Sequence, residues 1–226
     1  EEIVEADDVV ASFEQPFTII VGENGTGKST LIEAVAEIAG FGAAGGNRNH
    51  NAADQGGGFE GGGDRLATAM RAAWLPKISS GWFFRAESLF SLARYLDAAA
   101  VDDPLGGPPP DYLSHSHGEG FLRVFEERCL RQGIYLLDEP ESALSPARQL
   151  RLLRLMRQME VSRHCQVIMA THSPLLMAYP GARLLRIDRQ GLSPVRLIDT
   201  DHFKLMAEFC ADPQGFIDEA LEASDE

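Results

Sequence analysis

Cysteine is scarce in this chain. Cys129, Cys165 and Cys210 are the three present, and no two of them form a CxxC pair. An odd, scattered set excludes a disulfide scaffold and offers no zinc-ligand spacing. No apolar run reaches the roughly 18–20 residues needed to cross a bilayer as a helix. The opening Glu1-Glu2 lacks the basic region of a signal peptide. Together with the cysteine usage, this makes a reducing, cytoplasmic setting the expectation. Basic residues are few: 20 Lys and Arg stand against 34 Asp and Glu, a net charge of −14. That balance disfavours broad binding to nucleic acid or anionic lipid, although a local basic patch stays open. No sustained heptad pattern or internal repeat is present, so a coiled-coil arm is excluded.

What is there suits a globular fold. Apolar residues make up 44% and charged residues 24% of 226 residues, which predicts a single domain over 1–226. Phe17-Thr-Ile-Ile-Val21 is a β-branched apolar run ended by Gly22 and reads as a buried strand. Leu31, Ile32, Val35 and Ile38 then recur at helical spacing, with Gly40 as the stop. Residues 41–64 are rich in Gly, Ala and Asn and read as a flexible loop. Residues 65–101 read as mostly helical, and about 65–132 as a small helical subdomain. Ile134-Tyr-Leu-Leu137 and Gln166-Val-Ile-Met-Ala170 are two further buried strands. Between them, Ser145-Pro146 opens a helix to about Val161. Residues 183–187 and 194–198 flank Gly191 as a hairpin, and two amphipathic helices close the chain. Strands alternating with helices predict an α/β fold with a mainly parallel central sheet flanked by helices.

The chemistry sits at the strand ends. Gly22-Glu-Asn-Gly-Thr-Gly-Lys28-Ser29-Thr30 follows a strand and opens a helix, matching G-x-x-x-x-G-K-[ST]. In this pattern the backbone amides of Asn24, Gly25, Thr26 and Gly27 cradle phosphates, aided by the helix N-terminus. Lys28 reaches the β- and γ-phosphates, and Ser29 ligates Mg²⁺. The apolar run to Leu137 ends in Asp138-Glu139-Pro140. There Asp138 can hold Mg²⁺ while Glu139 polarises the attacking water. His172, in Thr171-His-Ser-Pro174, follows the next strand and can touch the γ-phosphate. Ser116 and Gly118, before a helix, can offer a hydroxyl and amides to phosphate. Arg148, Arg151, Arg154 and Arg157 recur in steps of three, which drift around a helix rather than form one stripe.

Taken together these segments resemble the ABC-type P-loop ATPase superfamily. Gly22 to Thr30 looks like Walker A, Ile134 to Glu139 like Walker B, Glu141 to Ser145 like the D-loop, and His172 like the switch histidine. Ser116-His-Gly-Glu119 is similar to a degenerate signature motif. More narrowly, Phe41 to Arg48, Phe84 to Ser88, Ser116 to Glu119 and Tyr179 to Ala182 are similar to small stand-alone bacterial AAA/ABC-like predicted ATPases.

The resemblance implies a P-loop fold of ABC-ATPase type with ATP and Mg²⁺ as cofactors. It implies Lys28, Glu139 and His172 as catalytic groups, Asn24 to Thr30 as the phosphate cradle, and Ser29 and Asp138 at the metal. It also implies an ATP-dependent homodimer in which Ser116 and Gly118 of one subunit face the nucleotide of the other. No Q-loop glutamine is evident. Gln55 lies in the glycine-rich stretch, Arg85 and Glu87 offer a replacement, and Phe13 is the one aromatic considered for adenine stacking. That departure weighs against a transporter subunit. The leading expectation is a stand-alone ATPase; the alternatives are a nucleotide-gated DNA-repair or phage-defence module and a transporter ATP-binding subunit.

Overall fold

Side chains on successive strand residues point to opposite faces, and the apolar residues here sort accordingly. In the computed structural model, strand β1 (Phe17–Val21) sends Phe17, Ile19 and Val21 into one core and Ile20 into another. Strands β5 (Gly133–Asp138) and β6 (Cys165–Ala170) divide in the same way. Tyr135, Leu137, Val167 and Met169 take the first face; Ile134, Leu136, Ile168 and Ala170 take the second. Strands buried on both sides need a helix layer on each. Structure is described for residues 12–42, 45–47, 50–51, 62–74, 78, 80–86, 93–94, 96–97, 112, 117–129 and 131–222.

Helix α1 (Lys28–Ala39) covers the second face through Leu31, Ile32, Ala36 and Ala39. Helix α2 (Gly63–Ala69) lies against α1. The approach is so close that a Cβ on Gly63 would stand 2.5 Å from Glu33 Cβ. The first face is covered by α3 (His117–Arg128), α4 (Pro146–Ser162) and the single turn α5 (Pro174–Met177). Their Leu122, Phe125, Leu152, Met156 and Leu176 are buried there. Each such side chain contributes about 1.5–3 kcal/mol by leaving water.

Strand β4 (Gly81–Arg85) joins five parallel strands into the order β4-β5-β6-β1-β7, with β7 spanning Ala182–Asp188. Short antiparallel strands finish both edges. These are β2 (Gly46–Asn47) and β3 (His50–Asn51) beyond β4, and β8 (Gly191–Pro194) beyond β7. Exposed helices α6 (Asp201–Ala211) and α7 (Pro213–Glu222) end the described chain.

The parallel α/β architecture is as expected, but three local readings change. Trp82-Phe83-Phe84 is not helical; it is a buried strand paired with β5. Three consecutive aromatics carry no visible period, so the open edge of β5 decides their conformation. Phe84 packs on Phe121 and Phe125 with ring centroids 5.8 and 5.6 Å away. The stretch 41–64, expected as loop, contributes β2 and β3, because backbone pairing to the edge at Phe83 needs no apolar side chains. The second hairpin strand falls at Gly191–Pro194 rather than over 194–198. Gln55 and most of 102–116 lie outside the described residues.

Parallel strands bring their C-terminal ends to one edge of the sheet, where ligands of such folds bind. Val21, Arg85, Asp138 and Ala170 all end strands there. That edge assembles the site.

Candidate active site

The loop after β1 can wrap an anion because its glycines take backbone angles closed to other residues. Gly25 has φ of 76° and Gly27, the residue before α1, has φ of 95°. Lys28 is the first residue of α1 and is 4% exposed. Its Nζ folds back and donates to the carbonyls of Gly22 (2.9 Å) and Glu23 (3.0 Å). Burial lowers its pKa, opposed by the nearby carboxylates of Glu139 and Asp138. Asn24 and Gly25 are exposed at the loop tip, and Thr26 Oγ1 caps the turn by donating to Glu23 O at 2.8 Å. Thr30 sits half-buried on the first turn of α1.

The predicted metal pair meets. Ser29 Oγ donates to Asp138 Oδ1 at 3.0 Å across 109 residues of sequence. Desolvation raises the Asp138 pKa to about 6, against the hydrogen bond from Ser29 and the charge of Arg85. Two hard oxygens side by side form a sparse protein shell. Among the described residues there is no cluster of three or more His, Cys, Asp or Glu that would make a closed metal cage. Mg²⁺ is held in this way, by one or two protein oxygens with water and phosphate completing its octahedron. Ser29 and Asp138 therefore fit the ion.

Behind Asp138 lies a buried ionic chain. Arg85 Nη1 contacts Glu33 Oε1 at 2.6 Å, and Arg85 Nε stands 3.7 Å from Asp138 Oδ2. Glu33 Oε2 also accepts from Gly63 N at 3.1 Å, tying in α2. Arg85 is the register partner of Asp138, so strand pairing alone sets the two side by side. Glu33, one helical turn after Ser29, escaped the sequence reading. Its i+4 offset from a metal-binding serine was the available signal. Arg85 was read only as one of two replacements for a glutamine; the other, Glu87, lies outside the described residues.

Glu139 takes a left-handed backbone conformation, φ 48° and ψ 53°. A non-glycine residue there is strained, and such strain collects at functional sites. Its amide donates to Ala170 O at 3.0 Å, which holds the bend. The bend leaves the carboxylate partly exposed beside His172, with Oε1 3.6 Å from His172 Nε2. Burial and the charge of Lys28 lower the His172 pKa against the opposing charge of Glu139, and this lowering favours the neutral ring.

Glu141, read from sequence only as part of the D-loop, is a principal support of this histidine. It is half-buried, and desolvation raises its pKa. Its Oε1 accepts from His172 N at 2.5 Å and its Oε2 from Thr171 Oγ1 at 2.7 Å. Ser173 caps α5 and donates to Gln149 Oε1. His202, at the start of α6, meets His172 from the other side, with His202 Nε2 2.8 Å from His172 Nδ1. Nothing in the sequence around His202 signals that contact.

Other expected positions fall away from this group. Ser116 lies outside the described residues. Gly118 is buried against its own chain, where a Cβ would meet Ala143 O at 2.7 Å and Arg148 Cδ at 2.9 Å. Gly118 therefore lies against the D-loop-like turn. Phe13 packs on the α1-side core. Three of the four arginines in the row, Arg148, Arg151 and Arg157, pair with Glu119, Glu126 and Glu160 within the chain.

Residues 7–65 match a family model described as "AAA domain", and residues 104–178 match one described as "AAA domain, putative AbiEii toxin, Type IV TA system". No curated protein matches the chain. Among solved structures, one described as "An inward-facing conformation of a putative metal-chelate type ABC transporter" is 18% identical with a TM-score of 0.47. That match covers 85% of this chain and 78% of the other. The SMC head domain from Thermotoga maritima is 20% identical with a TM-score of 0.45, over 82% of this chain and 92% of the other. The two family models take in the phosphate loop at one end and Asp138, Glu139 and His172 at the other. Over these two stretches the chain is similar to AAA-domain ATPases, and the phosphate-loop motif at Gly22–Thr30 agrees with that likeness.

Proposed function

We propose that this chain binds Mg-ATP at the C-terminal edge of its sheet and hydrolyses it to ADP and phosphate. The observation that carries the reading is the meeting of Ser29 Oγ and Asp138 Oδ1 at 3.0 Å beneath a lysine folded over its own loop. Lys28 holds two backbone carbonyls that triphosphate oxygens replace as ligands of its ammonium. The amides of Asn24 to Gly27 and the N-terminus of α1 bind the same oxygens. Mg²⁺, held by Ser29 and Asp138, neutralises phosphate charge when bound. Glu139 accepts a proton from the attacking water at its carboxylate, and His172 donates a hydrogen bond from Nε2 to a γ-phosphate oxygen.

We further propose that nucleotide joins two copies of the chain, each presenting its signature-like segment around Ser116 and Gly118 to the other's γ-phosphate. In support, Gly118 packs on the turn that follows Glu139, so Gly118 and that carboxylate flank the same turn. A nucleotide-gated role in a toxin–antitoxin system is a second reading, favoured by the family description matched over 104–178.

The test uses two variants. Lys28→Ala abolishes ATP binding measured by calorimetry. Glu139→Gln keeps binding but loses turnover by about 100-fold or more, the usual scale for a general base. Unchanged turnover in Glu139→Gln removes the catalytic assignment. Light scattering of Glu139→Gln with and without Mg-ATP reads dimerisation, and a monomer in both conditions refutes the two-copy reading.

A further inference from the structure

The geometry points to His202 as a positioning residue that sets which nitrogen of His172 carries the proton. His172 Nδ1 and His202 Nε2 are 2.8 Å apart, so one hydrogen lies between them. A neutral imidazole has one N–H and one bare nitrogen. If His172 supplied the shared hydrogen, its Nε2 would be bare. That nitrogen is buried, makes no hydrogen bond, and faces Glu139 Oε1 at 3.6 Å. A lone pair would then oppose a carboxylate with no donor between them, a costly arrangement away from water. If His202 supplies the hydrogen, Nε2 of His172 carries its own. An N–H then faces the carboxylate, and electrostatics favour it. The second arrangement is the one the site can hold.

The neighbourhood keeps both rings in place. Glu141 grips the His172 amide at 2.5 Å and Thr171 at 2.7 Å, fixing the histidine backbone. Thr200 caps α6, accepting from Phe203 N at 3.3 Å, so His202 sits on an anchored first turn. The rings are tilted 52° with centroids 5.0 Å apart, an edge contact rather than a stack. The charged and titratable side chains acting on His172 are Lys28, Glu139, His202 and Glu23, and of these His202 contacts Nδ1.

The consequence rests on the ATPase reading. A γ-phosphate oxygen is an acceptor, so His172 serves it only as a donor at Nε2. The buried, unbonded Nε2 is a donor waiting for such an acceptor. His202 provides that readiness from the C-terminal helix pair, which lies outside the phosphate loop and the Asp138-Glu139 turn. Whatever shifts α6 withdraws the hydrogen from Nδ1 and frees His172 to adopt the wrong tautomer.

The experiment reads the tautomer directly, in nucleotide-free protein, by long-range ¹⁵N–¹H NMR of the imidazoles. Wild type shows His172 protonated at Nε2. His202→Gln, whose amide still donates, keeps that form, whereas His202→Phe gives a mixture. In steady-state turnover His202→Phe loses about tenfold in kcat with KM unchanged, the effect of one misdirected hydrogen bond. His202→Gln stays within about threefold. A merely structural role predicts that Gln and Phe fall alike and that the tautomer is unmoved. Protonation at Nδ1 in wild type, or an Nε2–H form that survives in His202→Phe, overturns the inference. Wild type with the expected tautomer but no ATP turnover refutes the ATPase reading instead, and leaves the assignment of the proton standing.

Discussion

Asp138→Asn should stabilise the nucleotide-free protein while removing the carboxylate proposed to hold Mg²⁺. The carboxyl is 6% exposed, and its pKa is raised from the ordinary 3.8 to about 6, chiefly by desolvation. Between those values the unfolded chain has released the proton and the folded chain retains it. Folding stability therefore falls as pH rises through that window, and the full penalty stands above pH 6. At about 1.4 kcal/mol per pH unit the shift corresponds to an upper bound of about 3 kcal/mol. Asparagine removes the charge, retains an oxygen for the Ser29 hydroxyl and gives up the attraction to Arg85. The net expectation is a gain of about 1–2 kcal/mol at pH 7.5. For a chain of this size that is a rise of about 2–8 °C in Tm. Near pH 4, where the native carboxyl is neutral in the fold, the gain shrinks toward zero. Urea unfolding followed by tryptophan fluorescence, at both pH values, reads the difference. Excess Mg-ATP should then reverse the order, because wild type gains binding energy that the variant lacks. A variant less stable than wild type at pH 7.5, or a difference that does not vary with pH, refutes the desolvation argument.

Two other expectations follow from single contacts. Glu141→Ala leaves the His172 amide and the Thr171 hydroxyl without their acceptor, which costs about 1–3 kcal/mol for each buried group. Thermal melting should show the loss, and turnover should fall further than in a surface control such as Arg157→Ala. Gly81→Ala places a Cβ 1.8 Å from Ile134 O at a φ of 145°. The β4–β5 pairing must open, carrying Arg85 away from Asp138, and the variant should lose soluble expression or melt far below wild type.

The phosphate loop, Asp138-Glu139 and His172 are legible in the chain because each is a local event. A β-branched run, a glycine turn and a helix start lie within about fifteen residues of one another, and short-range sterics dictate them. The parallel order of the sheet follows from strands separated by helices. Local pattern fails where burial comes from distant partners. Trp82-Phe83-Phe84 has no period of its own and becomes a strand because β5 offers an edge and Phe121 and Phe125 cover it.

The supports of the site come from the fold. Glu33, Arg85 and Asp138 lie on three elements, and their ionic chain exists because register places Arg85 beside Asp138 while α1 crosses above. The alignment of Glu141 with His172 needs the turn after β5 to reach the end of β6. His202 meets His172 because the stretch after β8, held by Arg186 Nη2 donating to Asp199 O, returns the chain to the edge where the loops gather. Local chemistry wrote the groups proposed to touch phosphate. The groups that hold those in place are set by hydrogen bonds and ion pairs across the sheet, whose partners become neighbours only once the strands have paired and water has been expelled between them.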